Sequence, residues 1–120
     1  MATQFEKKLV QEGNQTDFPK QSDTVTIEYT GWLYDPSKNE NKGKQFDSSV
    51  GRGDFKTPIG VGRVIAGWDQ GVQQMSLGEK STLIIPAHMG YGDRGFPGHI
   101  PPNSTLIFDV YLKGINNKTV

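Results

Sequence analysis

The stretch GRVIAGWDQGVQQMSLG, residues 62–78, decides the fold, because it is the only segment of this chain whose apolar residues recur with a helical period. Val64, Trp68 and Val72 lie four apart, and Ile65 and Met75 extend the same face at three-residue steps. The spacing predicts one short helix. Gly67 and Gly71 each cost such a helix roughly 0.5–1 kcal/mol relative to alanine, so burial of its apolar face must hold it. Gly78 is placed to stop it. A tryptophan flanked by glycines that let other backbone come close is either a core anchor or the floor of a cavity. The residues leave both readings open for Trp68.

Downstream, residues 80–85 form a short β-branched run with Leu83 and Ile85 on one face, ended by Pro86. Residues 87–103, AHMGYGDRGFPGHIPPN, are too dense in Gly and Pro to continue either periodicity, yet carry Tyr91, Phe96 and Ile100, which a merely solvated loop does not need. A long strand follows. Leu106, Phe108, Val110 and Leu112 alternate with Ile107, Asp109, Tyr111 and Lys113, offering an apolar row to the helix.

Upstream, residues 24–32 alternate as cleanly, with Val25, Ile27 and Tyr29 directed inward. Residues 5–10 predict a first strand, and 13–23 a turn-rich connection. Residues 34–44, YDPSKNENKGK, predict an exposed loop, followed by a strand over 44–49 that carries Phe46 and Asp47. A loop at 50–54 leads through Phe55 and residues 57–59 to the helix. Half-buried strands and one short helix predict an α+β domain, a curved antiparallel sheet wrapped around the helix. Such a sheet leaves a gap at one end. Tyr29, Phe46, Phe55, Trp68, Tyr91 and Phe108 are candidates to line it, the alternative being that they are simply core.

Composition narrows the function. The 120 residues predict a single domain over 1–120, and 13 Lys and Arg balance 13 Asp and Glu without a basic run. Nucleic acid and anionic membranes are therefore not expected as partners. There is no cysteine, and His88 and His99 stand eleven apart without companion ligands, so no metal site is expected. No N-terminal apolar h-region and no long apolar run are present, which predicts a soluble protein of the cytoplasm, with the nucleus as alternative. On that expectation the sequons at Asn14, Asn103 and Asn117 and the adhesion-like tripeptide Arg52-Gly53-Asp54 are chance.

The segments VTIEYTG (25–31), QFDSS (45–49), RVIAGWD (63–69), MSLGE (75–79), GYG (90–92), IPP (100–102) and TLIFDV (105–110) stand in the order and approximate spacing of the FKBP family. The chain thus resembles the tacrolimus- and rapamycin-binding peptidyl-prolyl cis-trans isomerases, over nearly everything from 18 to 115. The resemblance implies a pocket with Trp68 as floor and Tyr29, Phe46, Asp47, Phe55, Val64, Ile65, Tyr91, Ile100 and Phe108 as walls. It implies that Arg52 orients Asp47 and Tyr29, that Phe96 and His99 lie at the rim, and that the Ile65 N–H and the Tyr91 hydroxyl donate to ligand carbonyls. Catalysis falls by the same resemblance to Asp47, Tyr91, Trp68 and Phe46, without a cofactor. Departures lie at the rim: the 34–44 loop is longer than in the shortest members, the 50–55 loop one residue shorter, and His99 replaces a commonly apolar residue. Strict alternation sends Phe46 and Asp47 to opposite faces, whereas the resemblance needs both at the pocket. A bulge or a strand end must fall there.

Isomerisation makes and breaks no bond, and the chain has no G-x-S-x-G elbow, cysteine or P-loop. Two further readings remain beside the isomerase: a binding module for proline-containing or leucyl-prolyl segments, and an apolar-ligand carrier, which has no use for Asp47 and Arg52. The resemblance implies a monomer that receives tacrolimus and rapamycin, whose complexes engage calcineurin and the TOR kinase respectively.

Overall fold

The computed structural model describes residues 4–120. Seven strands and one α-helix are formed among them, with short 3-10 turns at Asn39–Asn41 and Ala87–Met89: β1 (Glu6–Gln11), β2 (Thr24–Tyr34), β3 (Lys42–Ser48), β4 (Phe55–Pro58), α1 (Ala66–Gln73), β5 (Lys80–Ile85), β6 (Leu106–Ile115) and β7 (Lys118–Thr119). The strands make one sheet of order β1-β5-β6-β2-β3, with β4 also paired to β2 and β7 to β6. Every pairing is antiparallel. This is the expected curved sheet over one short helix.

Register explains how the core closes. β2 meets β6 with Ile27 opposite Leu112, Tyr29 opposite Val110 and Gly31 opposite Phe108. β5 meets β6 from the other side, with Leu83 opposite Phe108 and Ile85 opposite Leu106. Because successive side chains alternate between faces, these registers put every inward apolar row on one side of the sheet. Trp68 and Val72 of α1 and the fully buried Met75 pack into that concave face. Burying one such side chain stabilises by about 1.5–3 kcal/mol, enough to offset the helix's two glycines.

The helix is shorter than expected: it spans Ala66–Gln73, so Val64 and Ile65 precede it and Met75 follows it. Two carboxylates cause this. Asp69 accepts the N–H groups of Gly60 at 2.7 Å and Gly62 at 3.0 Å, folding the preceding loop back across the first turn. At the other end Glu79 accepts the Ser76 N–H at 3.1 Å, and the Leu77 N–H donates to the Asp17 carbonyl at 2.9 Å, so these groups find tertiary partners rather than helical ones. Gly78 lies beyond the helix and does not stop it, its N–H donating to the Leu112 carbonyl at 2.8 Å. Gly67 is required by close approach, but of a side chain rather than backbone. A Cβ there falls 2.6 Å from Ile85 Cγ2.

Other elements shift modestly. β3 begins at Lys42, paired with Tyr34, so the loop expected over 34–44 is shortened from its far end. Residues 87–103 are ordered by main-chain bonds: Phe96 and Ile100 exchange N–H···O=C bonds of 2.8 Å, and the Asn103 N–H donates to the Gly92 carbonyl at 2.8 Å. β7, two residues long, is too short to carry a periodicity in the sequence.

Candidate functional site

The β2–β3 register shifts twice, between Gly31 and Trp32 and again between Trp32 and Tyr34, and the first shift falls at the site. Asp47 stands opposite Gly31 and Gln45 opposite Trp32, so Phe46 is an extra residue without a partner. A bulge of this kind re-aims side chains locally, and Phe46 and Asp47, which alternation would separate, both line one cleft. Gly31 makes room for it. A Cβ on Gly31 falls 2.6 Å from Phe108 Cε1 and 2.8 Å from Phe46 Cζ, the two rings being edge-to-face at 5.5 Å.

The cleft measures about 300 Å³. Trp68, 5 % exposed, packs its ring against Tyr29 at 4.8 Å, Phe108 at 5.1 Å and Phe55 at 5.9 Å, each edge-to-face or close to it. Aromatic pairs of this geometry are worth about 0.5–1.5 kcal/mol beyond area burial, so the rings hold one another in place. Trp68 is core and cleft lining at once. Its indole Nε1 is buried without a hydrogen-bond partner among the described residues. Phe55 and Tyr91, each about one-third exposed, form the mouth.

One carboxylate faces this aromatic surround. Asp47 Oδ2 accepts the Tyr29 hydroxyl at 2.7 Å, and Oδ1 accepts Arg52 Nη2 at 2.6 Å and the Ser48 N–H at 2.9 Å. Arg52 also donates to the Ser48 carbonyl, which fixes the guanidinium, and Ser49 Oγ accepts the Tyr29 N–H at 2.9 Å. Burial by itself raises the Asp47 carboxyl, but the hydrogen bonds from Tyr29, Arg52 and Ser48 and the Arg52 charge outweigh it and hold it below 3.8. The Tyr29 phenol is pushed up to about 12, by burial first and then by its bond to the Asp47 anion. Burial, with the nearby Asp47 charge, also raises the Tyr91 phenol. At neutral pH the site therefore holds an anion with all its strong donors engaged and two protonated phenols. No group in it is poised to move a proton.

Most of the residues named from sequence converge: Tyr29, Phe46, Asp47, Phe55, Val64, Ile65, Trp68, Tyr91 and Phe108 line the cleft. Phe96 and Ile100 do not. They line an adjoining recess of about 190 Å³ with His99, which shares Phe46, Asp47 and Tyr91 with the cleft. The Phe96 ring stands edge-to-face between Tyr91 at 5.8 Å and His99 at 5.4 Å. Arg52 lines neither space and acts on Asp47 from outside. The Ile65 N–H has no hydrogen-bond partner among the described residues. Sequence reasoning missed Arg63, which lines the cleft, and the supporting roles of Gly31 and Ser49. Only Gly31 left a trace, as a glycine inside an otherwise alternating strand.

Arg52 and Asp54 of the adhesion-like tripeptide are tied into ion pairs, with Asp47 and Lys113 respectively. Among the described residues no His, Cys, Asp or Glu cluster is placed to hold a metal ion, and no helix is long and apolar enough to cross a membrane.

Comparison with known proteins agrees with this geometry. The model of the family described as FKBP-type peptidyl-prolyl cis-trans isomerase matches residues 15–113. FK506-binding protein 1B of Neurospora crassa is 64 % identical over 97 residues, covering 81 % of this chain and 86 % of that protein. FK506-binding protein 1 of Gibberella zeae is 60 % identical over 110 residues, covering 92 % and 96 %. A peptidyl-prolyl cis-trans isomerase of Schizosaccharomyces pombe is 56 % identical over 114 residues, covering 94 % and 96 %. With the family model matched over most of its length and an aromatic cleft built around a fixed carboxylate, this chain belongs to the FKBP-type peptidyl-prolyl cis-trans isomerases.

Proposed function

We propose that the Trp68 cleft is the isomerase site, taking an X–Pro segment of a polypeptide and lowering the barrier to rotation of its peptide bond. The single observation that carries this reading is the union of an aromatic cleft with one carboxylate that is ionised and held by three donors. Amide resonance opposes rotation by about 18–20 kcal/mol, and an unaided X–Pro bond takes tens to hundreds of seconds. In the twisted transition state the nitrogen is no longer conjugated and the carbonyl loses charge separation. An apolar surround therefore favours it over the planar, more polar ground state, and the same surround selects a twisted proline by shape.

Within that reading Trp68 and Phe46 supply the apolar contact, Tyr91 donates its hydroxyl to a substrate carbonyl, and the Ile65 N–H donates a second bond. Asp47, held by Tyr29 and Arg52, acts through its field and by positioning. It is a weak base, since three donors stabilise its carboxylate and lower its pKa. Phe55, Val64 and Phe108 complete the wall, and Phe96 and Ile100 extend it into the adjoining recess.

The same cleft is proposed to receive tacrolimus and rapamycin, a reading supported by relatives whose names carry FK506. The bound drug then presents a composite surface, framed by the loops 50–55 and 91–102, to calcineurin or to the TOR kinase. The protein acts as a cytoplasmic monomer in protein folding and regulation.

The test is an isomerisation assay on Leu-Pro and Glu-Pro peptides, with and without tacrolimus. Faster exchange of Leu-Pro, abolished by the drug, is expected, because an apolar cleft rewards an apolar side chain before proline. Equal rates on the two peptides, or indifference to the drug, would refute the assignment.

A further inference from the structure

Arg63 is the one charged side chain along the cleft that the described hydrogen bonds and ion pairs leave unengaged. It is exposed and lines the cleft beside Val64, yet no described residue forms an ion pair or hydrogen bond with it. The other charges near the site are committed, Asp47 to Tyr29, Arg52 and Ser48, and Arg52 to Asp47. We propose that Arg63 is a specificity-determining residue, favouring proline segments that carry an acidic side chain, carboxylate or phosphate, within about three residues of the proline.

The inference rests on the reading of the cleft as the isomerase site and adds a selectivity to it. An anion is disfavoured at the position immediately before the proline, where it would be desolvated against the Trp68 and Phe55 rings without a partner. Farther along an extended peptide, at about 3.3–3.6 Å per residue, it remains in water and within the sweep of a long side chain. The guanidinium suits this role, since its planar fork matches carboxylate and phosphate oxygens two at a time and stays charged at any relevant pH. The chain as a whole carries formal net charge +0, so a preference for acidic substrates must come from a local group rather than a global field.

An exposed pair of this kind supports about a two- to fivefold preference, and a doubly charged phosphate a larger one. The test measures kcat/KM at low ionic strength on Leu-Pro peptides that differ only by Glu against Gln, or phosphoserine against serine, stepped through the three positions on either side of the Leu-Pro pair. At the responsive position the acidic peptide is expected to be at least about twice as good. That ratio should fall to near one in about 0.5 M salt and in Arg63→Gln, and survive in Arg63→Lys. A ratio near one at every position in the unaltered protein, or a ratio that persists in Arg63→Gln, would overturn the proposal while leaving the isomerase site standing. A neutral Leu-Pro peptide that exchanges no faster with the protein than without it would instead overturn the site itself, and this inference with it.

Discussion

The Tyr29 hydroxyl lies 2.7 Å from Asp47 Oδ2, and each residue moves the other's titration further from the physiological range. Asp47 is held below 3.8, where burial is outweighed by its donors, and Tyr29 is pushed up to about 12 by burial and by the anion. Neither changes charge between about pH 6 and 8. Catalytic efficiency on an uncharged Leu-Pro peptide is therefore expected to be flat over that interval, whereas a histidine base would write an inflection near pH 6.5. A dependence that vanishes in His99→Gln belongs to the rim. A tenfold bell surviving in that variant would mean a proton moves in the rate-limiting step.

Asp47→Val separates catalysis from binding. It removes the anion and its three donors' partner while keeping the aromatic walls. Turnover is expected to fall about tenfold or more, about 1.4 kcal/mol of transition-state stabilisation, with tacrolimus affinity changing less than about threefold. Single-turnover exchange rates and calorimetric titration read the two quantities. Parallel losses in both would make Asp47 a binding residue only.

Gly31→Ala tests the bulge. The new methyl meets Phe108 Cε1 at 2.6 Å and Phe46 Cζ at 2.8 Å, so one ring must leave its place. Overpacking of this kind costs about 1–3 kcal/mol, measurable as a lowered urea midpoint. Displacement of Phe46 should also reduce turnover beyond the effect of stability, assayed well below the unfolding midpoint. Unchanged stability and activity would mean that the bulge is compliant.

Glu79 anchors the turn after the helix. Its side chain, 6 % exposed, accepts Lys7 Nζ at 2.6 Å, Ser81 Oγ at 2.7 Å and the Ser76 N–H at 3.1 Å. Burial raises its pKa, but these partners, Lys7 foremost, outweigh it and hold the group below 4.5. A carboxyl depressed in the folded state contributes stability above its unfolded value, and that contribution is lost as pH falls through the folded value. Glu79→Gln is expected to cost about 1–3 kcal/mol at pH 7 by urea unfolding, with the gap to the unaltered protein narrowing below about pH 4. A gap that stays constant down to about pH 2 would assign the loss to shape rather than charge.

Sequence reading reached the elements whose pattern is a property of one segment. The alternation of Val25, Ile27 and Tyr29 and of Leu106, Phe108, Val110 and Leu112 follows from the two-residue period of a strand, and Trp68 and Val72 from the helical turn. Motif order supplied the family. The helix ends were not legible, because they depend on where the Asp69 and Glu79 carboxylates find N–H groups in the folded chain. Nor was Arg63 legible, since nothing local tells a surface arginine from one beside a cleft. The same division governs the site itself. Sequence alone determined that Phe46 and Asp47 are neighbours and that Trp68 lies on the apolar face of the helix, and the family resemblance set against strand alternation called for a bulge or strand end. Only tertiary structure decided that the extra residue is Phe46, opposite no partner between Gly31 and Trp32. Register is a relation between two strands, fixed by packing across both of them, and no single strand carries it.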